Sequence, residues 1–270
     1  MLQLIFCLNK FMNSFISKIQ YIFDKICLFV MKYKFKPECS GENIDNQKFK
    51  EDIEMKEYKL EQFLQDSEAD LGTGLLATRG FGFCFTLKQC HRWSKTEEGN
   101  LILPFGGIGG KLELNELPGA SLHREAIEEV GSDVDIICHR GNATILMDSE
   151  SIEKISLATE LSNEPLPIII FRSPRAEAGR KPFTNVLIYT GKFISSEIRP
   201  IDDPALIELD TNLLLQLAEK PMSVKEFKKA GGKITSRIDL PDDGILKPIG
   251  TAIAAVRCLK AGLLTSQILD

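Results

Sequence analysis

The chain has 270 residues, 43% of them hydrophobic, 26% charged and 8% aromatic, with a formal net charge of −5. This ordinary globular composition excludes a wholly disordered, collagen-like or polytopic membrane chain. The acidic balance leaves no basic footprint for a phosphate backbone, so no nucleic-acid partner is expected. Cys7, Cys27, Cys39, Cys84, Cys90, Cys138 and Cys258 form an odd set without a C-x-x-C pair or a histidine at metal-ligand spacing. That pattern argues against a disulfide framework and a zinc site and makes reduced thiols in a cytoplasm the expectation.

Residues 1–36 contain no Gly, Ala, Pro, Arg or Glu, a bias that stops at Pro37. Leu4, Leu8, Phe11, Phe15, Ile19, Ile22, Phe23, Ile26 and Val30 recur at three- and four-residue steps, the apolar stripe of an amphipathic helix. A span over 11–31 would bury Lys18, Asp24 and Lys25, each at a cost of roughly 2.5–3.5 kcal/mol near the bilayer centre, and no secretory signal pattern is present. The segment is expected to be an N-terminal extension. It is upstream sequence read through, with Met31 as the start, or a helix in which residues 1–30 contact a membrane surface or dock, or a helix packed into the core.

Residues 37–70 read as a charged linker ending in a short helix over 55–64. The core is expected over 71–200. Strands are predicted at 71–78 and 81–87, joined at Arg79-Gly80, then at 101–105, 134–138, 143–147, 167–172 and 185–193. Between the last two, with Arg172 at its edge, a loop carries Arg175, Arg180 and Lys181, for each of which a solvated surface role is expected and phosphate contact is the alternative. Trp93 and Phe105 flank a glycine-rich turn and are candidates for stacking on a base, with core packing the alternative for Phe105. His91, His123 and His139 show no nucleophile–base spacing and are assigned nothing. Residues 201–270 are expected to be a helical part of the same domain, with helices over 204–230, broken at Pro221, and over 250–264 with Ile253, Val256 and Leu259 on one side. Such additions suit substrate specification or a homodimer.

The informative segment runs from Gly106 to Ile136. Gly106, Gly107, Gly109 and Gly110 free the backbone to approach a ligand. Neither a P-loop nor a dinucleotide fingerprint fits their spacing. A helix over 120–130 follows, bounded by Pro118-Gly119 and Gly131. Glu125, Glu128 and Glu129 stand at i, i+3 and i+4 on one face, either a solvated acidic face or a set whose mutual repulsion a divalent cation would relieve. Oxygen-only donors in an incomplete shell suit Mg²⁺.

Gly110, Glu116, Arg124, Glu125, Glu128, Glu129 and Gly131 have the spacing of the Nudix box, so the chain resembles the Nudix hydrolase superfamily from Gly110 to Ser132. At roughly 7% per residue type, seven fixed positions coincide in about one window in 10⁸. Ala126 and the polar Ser132 depart from the two aliphatic slots, and Asn115 stands where a glycine is usual, Asn being the next best residue at a left-handed position. The resemblance implies an α/β/α sandwich around a mixed sheet. It also implies a pyrophosphohydrolase acting on a nucleoside diphosphate linked to another moiety, with Mg²⁺ or Mn²⁺ as cofactor and a nucleotide-derived small molecule as partner. By the same resemblance, Glu125, Glu128, Glu129 and the Gly110 carbonyl bind the metal, and Glu116 pairs with Arg124 to orient the helix. Glu125, Arg124, Glu128 and Glu129 carry the chemistry, with Glu116, Gly110 and Gly131 in support. A further acid from a distant loop is sought among Glu160, Glu164, Glu177 and Glu197. A second class stays open: a catalytically silent nucleotide-sensing regulator, with Leu213–Ile234 as a helix-turn-helix capped at Ser223.

Overall fold

A computed structural model describes residues 55–80, 82–137, 143–175 and 179–264, all within the unit Ile53–Asp270. The N-terminal extension, Glu177 and His139 lie outside the described residues. The first elements are strand β1 (Glu57–Lys59) and helix α1 (Leu60–Leu64). The expected helix over 55–64 is thus confined to Leu60–Leu64, and Glu57–Lys59 instead pairs in parallel with Ser156–Ala158.

The scaffold is a mixed sheet. Its longest strands, β2 (Ala69–Arg79) and β10 (Phe183–Phe193), run parallel in the register Phe183↔Ala69 to Lys192↔Thr78. The first half of β10 also pairs antiparallel with β9 (Ile169–Pro174) and its second half with β6 (Val134–Ile137). On the other side of β2 come β3 (Gly82–Leu87) and β5 (Leu101–Gly106), with β4 (Ser94–Lys95) along the edge of β5. The strands β7 (Thr144–Met147) and β8 (Ile152–Ala158) continue the sheet beyond β9.

Successive side chains of a strand point to opposite faces, and β2 shows the consequence. Leu75 and Ala77 pack with Leu122, Ala126 and Val130 of helix α2 (Pro118–Val130). Leu76, between them, packs with Leu213, Leu214 and Leu217 of α3 (Thr211–Glu219) and with Ala252, Ala255 and Cys258 of α5 (Thr251–Lys260). Helices therefore cover both faces, and the expected α/β/α sandwich around a mixed sheet is the architecture found. Among the described residues no helix is long and apolar enough to cross a membrane.

The C-terminal part corrects the sequence reading. Residues 201–270 are not wholly helical: β11 (Ala205–Leu209) pairs with β3, β13 (Lys233–Ser236) pairs with β11, and β14 (Ile245–Pro248) lies parallel to β5. Asp210, not residue 204, starts the helix, its carboxylate accepting the Leu213 N–H at 2.7 Å. Nor is Leu213–Ile234 a helix-turn-helix. Ser223 does cap α4 (Val224–Lys229), but that helix has six residues, follows β12 (Met222–Ser223), which pairs with β14, and leads into β13. In α5 the small residues Ala252, Ala255 and Cys258 face the core, whereas Ile253 is exposed.

Helix α2 shows its sequence logic directly. Pro118 occupies the first turn, where no backbone partner is lost. Leu122, Ala126 and Val130 form the buried stripe, and Gly131 ends the helix at φ +68°, its N–H donating to Ile127 O at 3.0 Å. A Cβ on Gly131 would also lie 2.7 Å from Ile201 Cδ1. Asn115 adopts the left-handed conformation at φ +63°. Ser132 is buried where an aliphatic residue is usual, and its hydroxyl is satisfied by Asp133 O at 2.9 Å and the Ser195 N–H at 3.1 Å.

Candidate functional site

Between the glycine-rich turn, the C-terminal half of α2 and the start of α5 lies a cavity of about 460 Å³. Gly106, Gly107, Gly109 and Gly110 form one wall, and Glu125 and Glu129 project from α2 on another. The turn is fixed to β2 by Thr73 N–H donating to Gly110 O at 2.8 Å and Leu75 N–H donating to Ile108 O at 2.7 Å. One lone pair of the Gly110 carbonyl is therefore engaged and one remains.

The Gly110 position admits no side chain, because a Cβ there would fall 2.2 Å from Glu125 Oε1 and 2.6 Å from its Cδ. The obstacle is the tip of one carboxylate, so Gly110→Ala is expected to displace Glu125 rather than unfold the turn. Turnover should fall at least about tenfold, since a misplacement near 1 Å can cost 10²-fold, while the melting temperature changes little. Parallel kinetic and thermal-melt measurements check this.

Arg124 organises the acidic face. Its Nε and Nη2 donate to the two oxygens of Glu116 at 2.8 and 3.0 Å, a bidentate pair, and Nη1 donates to Glu125 Oε1 at 2.8 Å and Glu128 Oε2 at 3.1 Å. The guanidinium holds the Glu116 carboxyl below its ordinary range, and Glu116 in turn raises the pKa of Arg124. Glu128, its side chain 48% exposed, lies outside the cavity and is reached through Arg124.

Glu129, beside Glu125 in the same cavity wall, is partnered by Lys88. It is buried against Lys88, whose Nζ lies 3.3 Å from Glu129 Oε1 and 3.1 Å from Asp203 Oδ2. Burial pushes the Glu129 carboxyl up to about 7; Asp203 and Glu125 add to the rise and Lys88 opposes it. The segment carrying Asp203 is fastened to the end of α2, with Arg199 N–H donating to Val130 O and Ile201 N–H to Glu129 O at 2.8 Å.

The distal acid sought in the sequence is therefore corrected. Glu160 pairs with Lys59 at 2.5 Å, Glu197 sits in an exposed turn with Ser195, and Glu164 accepts the Gly119 N–H at 2.7 Å at the start of α2. None of these three lines the cavity; Asp203 and Asp70 do. Burial raises the Glu164 pKa. A raised folded-state pKa contributes stability that is present below the ordinary carboxylate range and lost as pH rises through the shifted value. Glu164→Gln keeps the acceptor for Gly119 and should melt higher than the parent at pH 8, with the difference closing as pH falls toward 4; melts across that range test it.

Arg175 and Arg180 line the cavity rather than standing on a solvated surface away from it, Arg175 Nη1 lying 2.6 Å from Asp70 Oδ2. Lys181 instead donates to Ala69 O at 3.0 Å, and Arg172 pairs with Asp66 and stacks 4.1 Å from the Phe183 ring centroid. Phe105 is core, and Trp93 donates to Lys88 O at 2.7 Å away from the cavity. His91 lines the cavity, whereas His123 pairs with Asp133 at 2.5 Å outside it.

Among the described residues no three His, Cys, Asp or Glu side chains converge on one ion position. The carboxylates are bridged instead by Arg124 and Lys88. The donor set itself, made of carboxylate oxygens and one backbone carbonyl, fits a hard divalent cation.

No family model and no curated protein matches the chain. Among solved structures it is similar to Nudix hydrolases. One from Nitrosomonas europaea has 11% identity and a TM-score of 0.29 over 53% of this chain and 58% of that one, so this chain spans a little over half of that relative's length. A second from the same organism has 11% identity and a TM-score of 0.37 over 72% and 90% of the two chains. A hydrolase of the Nudix family from Clostridium perfringens has 16% identity and a TM-score of 0.34 over 54% and 83%.

Proposed function

We propose that the chain is a Nudix-type, metal-dependent hydrolase that cleaves the pyrophosphate bond of a nucleoside diphosphate linked to another moiety. The observation that carries this reading is the joint placement of the Gly110 turn, Glu125 and Glu129 on one cavity, with Arg124 clamped to Glu116 beside them. Gly110, through its carbonyl, Glu125 and Glu129 line the cavity and would hold Mg²⁺ or Mn²⁺, joined by Glu128 once it leaves Arg124. Such an ion, when bound, neutralises charge on phosphate oxygens and lowers the pKa of bound water.

The chain's own groups supply the rest. Arg175 and Arg180 at the cavity take the substrate's phosphates. Arg124 fixes Glu125 through Oε1, leaving Oε2 to accept a proton from the attacking water. The regulator reading loses the DNA-facing element that motivated it, since strands interrupt Leu213–Ile234.

The test is a panel of nucleotide sugars, dinucleoside polyphosphates, ADP-ribose, NADH, coenzyme A and oxidised nucleotides, each incubated with Mg²⁺ or Mn²⁺ and with EDTA. Cleavage of at least one compound, abolished by EDTA, is expected. Tight binding of a nucleotide without cleavage of any panel member would overturn the enzyme reading.

A further inference from the structure

Lys88 follows directly on β3, and its side chain is 12% exposed in the cavity wall. Nζ donates to Thr86 Oγ1 at 2.7 Å, Asp203 Oδ2 at 3.1 Å and Glu129 Oε1 at 3.3 Å. Thr86 Oγ1 donates onward to Glu129 Oε2 at 3.3 Å. An ammonium has three donors, and here the protein takes all of them, so none is left for a substrate phosphate. What Lys88 contributes is a positive charge held between two carboxylates whose side chains are 11% and 5% exposed.

Lys88 is the cation between Glu129 and Asp203, as Arg124 is among Glu113, Glu116, Glu125 and Glu128. Removal of Lys88 would leave Glu129 and Asp203 without the cation between them. Thr86, Glu129 and Asp203 would then offer oxygen donors around the space the ammonium had filled.

We infer that Lys88 is a tethered cation standing where a further divalent ion would otherwise bind between Glu129 and Asp203, so that the substrate-free site takes a single ion. The inference rests on the metal-dependent reading above. Lys88 is a positioning residue, acting through Glu129 and Asp203 rather than on substrate.

The experiment is a Mn²⁺ titration of the full chain, without substrate, followed by electron paramagnetic resonance of free Mn²⁺. The parent should bind one ion, Lys88→Ala should bind a second with at least tenfold higher affinity than any second ion in the parent, and Lys88→Arg should return to one. Asp203→Asn alone should keep the single ion, and Lys88→Ala/Asp203→Asn should lose the added one, a result that general loosening would not produce. If Lys88→Ala does not fold without metal, Lys88→Met, which retains the packing of the stem, is titrated in its place with the same expectation. Equal stoichiometry and affinity in the parent and the Lys88 variants would overturn the inference while the metal-dependent reading stands. Loss of the single ion in Asp203→Asn would also overturn it. Absence of Mn²⁺ binding in every protein would overturn both.

Discussion

Glu129→Gln is expected to lower turnover by about two to three orders of magnitude, because several kilocalories of charge stabilisation depend on a ligand set that the amide cannot complete, and each 1.36 kcal/mol is tenfold in rate. The substitution preserves shape and can still accept the Thr86 hydroxyl. Its effect on stability depends on pH. Burial raises the Glu129 carboxyl from the ordinary 4.5 to about 7, so folding favours the protonated form and the associated stability is lost as pH rises through about 7. That loss is on the order of 3 kcal/mol. Metal-free Glu129→Gln should therefore be at least as stable as the parent at pH 8 and no more stable at pH 5. Melts in EDTA at the two pH values, beside kinetics with Mg²⁺, check both halves. A variant that is inactive because it is unfolded would show a lower melting temperature at pH 8.

Arg124→Lys should reduce turnover by about 10²-fold while weakening Mn²⁺ binding much less than Glu129→Gln does. One planar guanidinium serves Glu116, Glu125 and Glu128 at once, a geometry that an ammonium cannot copy. The carboxylates remain, so the loss comes through the orientation of Glu125. Glu116→Gln breaks the same clamp from its other side and should give a milder defect. The double variant should lose less than the sum of the two, since both changes remove one interaction. Full additivity would contradict the pairing, and normal turnover in Arg124→Lys would remove Arg124 from the mechanism.

What could be read in the sequence was local. Glu125, Glu128 and Glu129 lie within one helical turn and a half, Arg124 and Glu116 are eight residues apart, and Gly131 and Asn115 mark left-handed backbone by residue type alone. These features are set by spacing and steric freedom, which a linear chain displays. The other half of the cavity is assembled across long separations. Lys88 meets Asp203 across 115 positions, and Arg175 meets Asp70 across 105. No periodicity signals that β11 will carry the chain past β3, or that the turn before it will deliver Asp203 to the end of α2. The run Ala-Leu-Ile-Glu-Leu at 205–209 is short and apolar, so strand and helix are indistinguishable by pattern. Pro204 and the cap at Asp210 were the signals that separate it from the helix behind it. Glu164 misled for a related reason: an acid in a distant loop looks the same in sequence whether it faces the cavity or holds the first turn of α2.

The most direct measurement is hydrolysis of the panel in ¹⁸O-water with Mg²⁺, comparing the parent with Glu129→Gln and following the products by ³¹P nuclear magnetic resonance. The parent is expected to convert at least one diphosphate-linked nucleotide into two phosphate-bearing products with ¹⁸O on only one of them, and Glu129→Gln to leave the same compound almost intact. Persistence of every pyrophosphate resonance with the parent, or equal conversion by the two proteins, would contradict the hydrolase reading.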